Sequence, residues 1–272
     1  MSKLKINYWK NTVDYINYIK NKRIVIVAPS DRLIGQGLGE EIDSYDIVVR
    51  LNNFFPINPI NQLESDYSLY HKDIGSRTDV LYHTGAIMRS LKWAANRHST
   101  GRIKLLKQDR VKFVIVKRDP IFGSTKERRA INRFALINKN YINLPKTAKK
   151  NEGIIIGSVF NSFIEDLRKK IDNTEPNMST MAIMHLLDFK IKELRILGCD
   201  FYSGGYHPAY FIPDYLEWDD NSKELVRKDK KERNRVGIHN YSIQIKFLLN
   251  LIKNDKRINI DKETIEMWES KI

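Results

Sequence analysis

Short apolar runs, rich in β-branched residues, alternate along this chain with longer segments whose apolar positions follow a helical period. The runs that predict buried strands are 23–29, 46–51, 78–82, 111–117 and 193–201. Turn residues bound most of these runs, as is usual for strands that are covered on both faces of a sheet. Strands that alternate with helical segments predict an α/β fold.

The helical segments recur at the 3.6-residue period that buries one face of each helix. Helices are predicted over 1–21, over 180–189 and over 239–253. The segment 153–163 is predicted to lead into a further helix that ends at residue 170. A glycine-spaced loop separates the first two strands, and 204–221, rich in aromatic, Pro and Gly residues, is predicted as an ordered loop. The sequence therefore predicts an N-terminal helix over 1–22 packed on a single Rossmann-like α/β domain over 23–272, with a mostly parallel central sheet.

Composition fits this picture. Of the 272 residues, 42% are apolar and 29% charged, which is typical of a globular protein with a substantial core. No apolar run reaches the roughly 18 residues that span a bilayer, and Met1–Lys20 does not read as a secretory signal. Cys199 is the only cysteine, so no internal disulfide can form. We expect a cytoplasmic protein, soluble or peripherally associated with a membrane.

The net charge of +14 favours partners that carry negative charge. Nucleic acid, an anionic membrane surface and an anionic substrate would each suit a strongly basic chain. Much of the excess lies in two runs, Lys126–Arg133 and Lys223–Arg235. For either run alone, a solvated surface is an equally good interpretation.

Three glycines after the first strand invite a dinucleotide-binding hypothesis. Gly35, Gly37 and Gly39 are spaced GxGxG, whereas the dinucleotide fingerprint is GxGxxG directly at the strand end. The first glycine follows Pro29 by six residues. As a dinucleotide site the signal is weak.

The longer string around these glycines is more specific. Val27–Asn52, followed by DIGSRT at Asp73–Thr78, resembles the first long signature of the sialyltransferase family. The matching residues are Ser30, Gly35, Gly37, Gly39, Ile42, Asp43, Asp46, Val48, Arg50 and Asn52.

Three later blocks follow in the order of the same family. Pro176–Phe201 resembles the short signature, Tyr206-His207 stands where the third motif lies, and Gly237-Ile238-His239 resembles the last motif. The residues that carry the short-signature match are Ser179, Thr180, Glu193, Gly198 and Phe201. Together the four blocks cover most of the chain from 23 to 244.

The chain also departs from the family pattern. Pro29 and Arg32 stand where the family carries asparagines, and the last motif ends in Gln244 where the family has Glu. The cysteine pair of animal members is absent. These differences leave a second interpretation open, in which the protein is a relative of the family that binds sugars but has no catalytic activity.

The resemblance implies a GT-A-like sialyltransferase variant of the Rossmann-like fold. It implies an inverting glycosyltransferase that moves an acidic sugar, sialic acid or Kdo, from a CMP-sugar donor to a glycan acceptor. Such an enzyme works without a metal, and the donor takes the place of a cofactor. The sequence does not choose between CMP-sialic acid and CMP-Kdo.

The resemblance also assigns roles to residues. His239 is the expected general base, near a helix start where a neutral imidazole is favoured. Tyr206, His207 and Arg32 are expected to stabilise the leaving phosphate. The expected contacts of the donor nucleotide are Ser30, Asn52, Ser179, Thr180 and Gly198.

Structural interpretations stand beside these roles. Asn52 also fits a strand-end turn, Ser179 and Thr180 also fit a helix N-cap, and a lone histidine such as His185 is usually structural. Asp219-Asp220 is expected to be a solvated acidic pair in a loop with no strand before it, not a metal site.

The rival class is a nucleic-acid-binding protein that would use Lys223–Arg235 and the aromatic loop before it. That hypothesis accounts for the charge but leaves the glycine loop, Asn52 and Gly237-Ile238-His239 unexplained. We therefore expect no specific nucleic-acid partner. The basic run is instead expected to contact an anionic membrane or a glycolipid.

Overall fold

The computed structural model describes residues 14–52, 54, 68–83, 111–117, 155–159, 161–201, 204–207, 216–219, 224–227 and 239–272. In these residues, seven strands form one sheet in which every neighbouring pair is parallel, and two further strands pair with each other antiparallel. The strands are β1 (Arg23–Val27), β2 (Ile47–Leu51), β3 (Val80–His83), β4 (Phe113–Val116), β5 (Ile155–Ser158), β6 (Glu193–Leu197), β7 (Leu216–Asp219), β8 (Glu224–Arg227) and β9 (Ile258–Ile260).

Helices connect and cover the strands. They are α1 (Gly39–Ser44), α2 (Ser68–Ile74), α3 (Asn161–Lys170), α4 (Met178–Leu187), α5 (Tyr241–Asn254) and α6 (Lys262–Glu269). A single 3-10 turn, Asp31–Leu33, follows β1. Residues 14–19 are also helical, and the earlier part of the predicted N-terminal helix lies outside the described residues.

The order of the large sheet is β5-β4-β3-β2-β1-β6-β9. The chain builds outward from β1 in one direction through β5 and then returns to add β6 on the other side. β1 pairs with both neighbours through Ile24, which lies opposite Ile47 of β2 and Leu194 of β6. The point where the strand order reverses is where open α/β sheets form their ligand crevice.

Both faces of the sheet are buried. In β1, Ile24 and Ile26 belong to the larger core, while the alternate residues Val25 and Val27 belong to a second core on the opposite face. Strands buried on both faces read as continuous apolar runs, as β1 does. This is why the apolar runs of the sequence predicted the parallel sheet correctly.

The N-terminal helical residues pack against the larger core. Tyr15 is buried, and its hydroxyl lies 2.7 Å from the hydroxyl of Tyr82 on β3. Tyr82 in turn lies 2.8 Å from Nδ1 of His185 in α4. Burial lowers the pKa of His185 to about 4, which keeps this histidine neutral and agrees with a structural role.

Some predicted elements differ from the structure. The segment from Gly153, predicted to lead into a helix, contains strand β5, and the strands predicted over 23–29 and 193–201 end earlier, at Val27 and Leu197. The loop predicted over 204–221 includes β7, and the basic run includes β8. That loop prediction was wrong over 216–219, because the flanking Pro, Gly and aromatic residues hid the short polar-apolar alternation that forms a strand pair.

Candidate active site

A cleft lies at the carboxyl ends of β1, β2 and β6, beside the start of α4. It encloses about 410 Å³ of space, part of it open to solvent. The lining residues are Ala28, Pro29, Leu51, Asn52, Asn177, Met178, Ser179, Gly198, Cys199, Asp200, Phe201 and Tyr206. Four residues predicted from separate sequence blocks, Asn52, Ser179, Gly198 and Tyr206, are therefore brought together at the point where the strand order reverses.

Gly198 fixes how closely the ends of β1 and β6 approach. Its φ is +66°, and a Cβ atom at this position would lie 2.6 Å from the carbonyl oxygen of Ala28. The backbone N–H of Ala28 donates to Leu197 O over 2.9 Å, which continues the pairing of the two strands. Only glycine satisfies both the positive φ and this close backbone contact.

Ser30 supports the wall of the cleft from behind. It is 1% exposed, and its hydroxyl donates to Oδ2 of Asp200 over 2.8 Å. Oγ of Ser30 also accepts from the backbone N–H of Arg32, and the backbone of Ser30 forms a β-bridge with that of Tyr206. Ser30 thus connects the segments after β1 and β6 to each other, and it is not among the residues that line the cleft.

Asn52 ends β2 in a left-handed conformation. Its φ is +55°, and its N–H donates to Tyr82 O over 2.7 Å. Asn is one of the few residues with a Cβ that adopts this conformation readily. Asn52 therefore forms the predicted turn at the end of β2 and also lines the cleft.

The start of α4 is capped by a residue that the sequence interpretation did not single out. Asn177 is the N-cap, and its Oδ1 accepts from Thr180 N over 2.7 Å. The N-cap interpretation of Ser179 and Thr180 was therefore wrong, because both lie within the first turn. Ser179 lines the cleft, whereas Thr180 is fully buried and its Oγ1 has no hydrogen-bond partner in the part of the chain that the structure describes.

His239 lies two residues before the first residue of α5, and Asn240 caps that helix. The half-buried ring places Nδ1 2.7 Å from the carbonyl oxygen of Glu175. A carbonyl oxygen only accepts, so Nδ1 carries the proton, and in the neutral ring Nε2 is the basic nitrogen. His239 is outside the cleft lining, but Glu175 is two residues from Asn177, which is in it.

Tyr206 and His207 occupy different environments. Tyr206 lines the cleft, whereas His207 is fully buried, and its ring centroid lies 5.5 Å from that of Phe54 and 5.0 Å from that of Tyr70. The backbone N–H of His207 donates to Pro29 O over 3.1 Å. Of this predicted pair, Tyr206 therefore lines the cleft, whereas His207 packs inside the protein. Arg32 is exposed in the 3-10 turn and does not line the cleft.

The glycine loop is held by an internal carboxylate. The N–H groups of Gly35 and Gly37 donate to Oδ2 and Oδ1 of Asp73 over 2.8 and 2.9 Å. Burial alone would raise the pKa of Asp73, but these two hydrogen bonds, with smaller electrostatic contributions from Lys72 and His207, lower it below its ordinary value. The loop N–H groups that would face a dinucleotide phosphate are thus occupied by the protein's own anion, in agreement with the weak motif.

Arg50, another residue of the first block, is also structural. Its guanidinium is fully buried and donates to the carbonyl oxygens of Ile74 and Arg77 and to Oγ1 of Thr78. It therefore anchors the segment that follows α2 to strand β2.

Sequence reasoning missed Asn177, Asp200 and Cys199 as cleft residues. Asn177 precedes an apolar helix by one residue, which is an N-cap signal, and Asp200 follows a strand end at the carboxyl edge of the sheet. Cys199 is buried, and burial raises the pKa of its thiol to about 12. The thiol is therefore protonated at neutral pH, which argues against a nucleophilic role.

Asp219-Asp220 does not lie in a loop without a preceding strand, as the sequence predicted. Asp219 is the last residue of β7, so a strand does precede the pair, and Asp220 lies outside the described residues. Among the residues described, no group of three or more His, Cys, Asp or Glu side chains is placed to hold a metal ion. Within that same part of the chain, no helix has the length and apolar character needed to cross a membrane.

The parallel sheet and the cleft at its reversal point define an α/β protein of the Rossmann-like class. Residues 11–142 match the model of glycosyltransferase family 29 (sialyltransferase). The matched segment contains the first block, Val27–Asn52 and Asp73–Thr78, and the later blocks lie beyond it. No curated protein matches the chain.

Two similar solved structures are mammalian sialyltransferases. One, in complex with Gal-beta-1-3GalNAc-ortho-nitrophenol, is 12% identical with a TM-score of 0.45, and the alignment covers 89% of this chain and 70% of that chain. The other is 11% identical with a TM-score of 0.44, over 96% of this chain and 86% of that chain.

Proposed function

We propose that this protein is a glycosyltransferase that moves sialic acid, or the chemically related Kdo, from a CMP-sugar donor to a glycan acceptor with inversion at the anomeric carbon. One observation carries the proposal. The cleft at the reversal point of the sheet is lined by Asn52, Ser179, Gly198 and Tyr206, which come from three separate blocks that resemble sialyltransferase motifs. A chance resemblance would not be expected to bring them together.

The proposed donor position follows from the polarity of the cleft. Asn52 offers an amide at the end of β2, where it would contact the cytidine. The first turn of α4 contributes Ser179 and the positive end of a helix, which favours an anion. The donor has two anions, its phosphate and the carboxylate beside its anomeric carbon, and either suits this end of the cleft.

The proposed reaction is a single displacement. The acceptor hydroxyl oxygen bonds to the anomeric carbon, the bond from that carbon to the phosphate oxygen breaks, and CMP leaves. Nε2 of His239 takes the acceptor proton, since Nδ1 is held by Glu175. Tyr206, and Arg32 from the adjoining turn, stabilise the leaving phosphate, while His207 supports this region from within.

We propose further that transfer needs neither a metal nor a cofactor beyond the donor. In this proposal the charge on the departing phosphate is balanced by side chains and helix N–H groups. Removing metal with EDTA should then leave turnover unchanged. A loss of turnover that Mn²⁺ restores would assign the chain to a different mechanistic class.

Lys223–Arg235 is proposed to contact an anionic membrane or glycolipid surface, which would place the acceptor near the cleft. Its four described residues form strand β8, which pairs with β7. We propose a cytoplasmic protein, soluble or peripherally bound to a membrane.

The decisive experiment is turnover with CMP-Neu5Ac and CMP-Kdo in parallel, with CMP release followed in the presence of a panel of glycan acceptors. Acceptor-dependent CMP release with one donor supports the proposal and names the sugar. A folded protein that binds CMP but releases none from either donor would be a sugar-binding relative without catalysis. Tight binding of single-stranded DNA with no response to CMP would favour the nucleic-acid class instead.

A further inference from the structure

Gln244 makes two hydrogen bonds that need an amide. It lies in α5 and is fully buried. Its Oε1 accepts from the N–H of Asn177 over 3.0 Å, and its Nε2 donates to the carbonyl oxygen of Glu175 over 3.1 Å. The side chain therefore fits one backbone donor and one backbone acceptor that lie two residues apart, on the turn that leads into α4.

The same carbonyl oxygen also holds His239. Glu175 O accepts from Nδ1 of His239 over 2.7 Å as well as from Nε2 of Gln244. Two nitrogens bonded to one oxygen at these distances lie within about 6 Å of each other, the range over which a charge alters the protonation of a neighbouring group. Any charge placed at Gln244 would therefore act directly on the imidazole.

In the part of the chain that the structure describes, the carboxylate on this turn is paired with two cations. The carboxylate of Glu175 lies 2.7 Å from Nζ of Lys117 and 3.5 Å from Nε of Arg168. Lys117 also donates to the carbonyl oxygen of Pro176. On the remaining side, the ring of Tyr241 has its centroid 6.0 Å from that of His239. The turn is therefore held by Lys117, the residue after β4, by α3 and by α5.

We infer that Gln244 is a positioning residue that keeps His239 neutral and in the tautomer with the proton on Nδ1. A carboxylate at 244 could still accept from Asn177, but it could not donate to Glu175 O, and its charge would favour the imidazolium. The neutral amide avoids both effects and leaves Nε2 to accept a proton. The inference rests on the proposed role of His239 as general base.

Nuclear magnetic resonance of the histidine rings in the full chain tests this inference without any substrate. In the wild type, the ¹⁵N shifts of His239 should show a proton on Nδ1 and none on Nε2 at neutral pH. A ring protonated mainly on Nε2 would overturn the inference before any variant is made.

Gln244→Glu tests the charge, and Asn250→Asp is its matched control. Asn250 lies on the exposed side of the same helix, so the control adds the same charge away from the turn. Gln244→Glu should raise the midpoint of His239 protonation by about one pH unit or more, while Asn250→Asp leaves it unchanged. Equal midpoints in the two variants would overturn the inference.

Gln244→Met tests the hydrogen bonds without adding charge and covers the case in which Gln244→Glu fails to fold. It should leave His239 in a mixture of tautomers, and it should lower kcat more than it raises KM for the donor. A methionine variant that is folded and keeps a single Nδ1–H tautomer with unchanged kcat would contradict the positioning role.

These readouts separate the inference from the proposed function. If the tautomer and the protonation midpoint of His239 respond to the variants as expected and no donor is turned over, the positioning role stands and the proposed transferase function fails. If the chain turns over a donor while the His239 midpoint is insensitive to Gln244→Glu, the function stands and the inference fails.

Discussion

Nδ1 of His239 donates a 2.7 Å hydrogen bond to the carbonyl oxygen of Glu175, 64 residues earlier in the chain. Glu175 lies two residues before Asn177, which both caps α4 and lines the cleft. The proposed base is therefore attached to the wall of the proposed donor site. This bond orients the ring and selects the nitrogen that can take a proton.

Replacing His239 should remove catalysis and spare nucleotide binding. His239→Ala should lower turnover by about 10²–10⁴-fold, the usual effect of losing a general base, with little change in CMP affinity. CMP release and a CMP titration measure the two quantities, and Lys246→Ala, on an exposed position of α5, is the control. Near-normal turnover in His239→Ala would place the base elsewhere, and an unfolded variant would show that the histidine is structural.

CMP should raise the melting temperature more than UMP, GMP or NAD at equal concentration, because a ligand stabilises only the fold that binds it. Asn52→Asp should reduce this shift, since it removes the amide donor and places a negative charge beside an anionic ligand. Asn21→Asp is a matched control, because Asn21 is exposed and, like Asn52, has a positive φ. Equal shifts for all four ligands would remove the donor assignment.

Asp73→Asn should destabilise the protein by about 1–3 kcal/mol at neutral pH, the usual cost of losing hydrogen bonds to a buried charged acceptor. Urea unfolding measures this, with the exposed Asp166→Asn expected to change stability by less than about 0.5 kcal/mol. The pKa of Asp73 is lowered from its ordinary 3.8. The contribution of the carboxylate is therefore present above that pH and is lost as the pH falls through the folded-state value.

Stability should also fall in mild acid because of His185. Burial lowers its pKa from 6.5 to about 4, so the unfolded chain binds a proton at pH values where the folded chain does not. Lowering the pH from 6.5 to 4 should then cost up to about 3 kcal/mol from this residue alone. In urea unfolding at both pH values, His185→Gln should lose less stability than the wild type, and an equal loss would contradict the assignment.

Reversing the charge of the basic run should affect the acceptor and not the donor. The triple variant Arg227, Lys230 and Lys231 to Glu should weaken acceptor use while CMP binding survives, because the donor cleft is built from other segments. Acceptor titrations at fixed donor measure the effect. A folded variant that loses CMP binding would place the run within the donor site.

The parallel sheet could be predicted from the apolar runs of the chain. Ile24–Val27 of β1 and Ile47–Val49 of β2 are continuous apolar runs because both faces of each strand are buried, and this pattern is visible locally in the sequence. The same holds for Gly198 and Asn52, whose positive φ values suit the residue types found there. These features could be predicted because the constraint and the residue lie at the same position in the chain.

The side chains that support the cleft could be identified only in the folded protein. Asp73 holds the glycine loop across 38 residues, Ser30 reaches Asp200 across 170, and Gln244 joins Asn177 across 67. No local pattern encodes these pairings, because each depends on two distant backbone groups that meet only after the sheet has formed. The short pair β7 and β8 was missed for a related reason, since four-residue strands become recognisable only when their partner's backbone satisfies their hydrogen bonds.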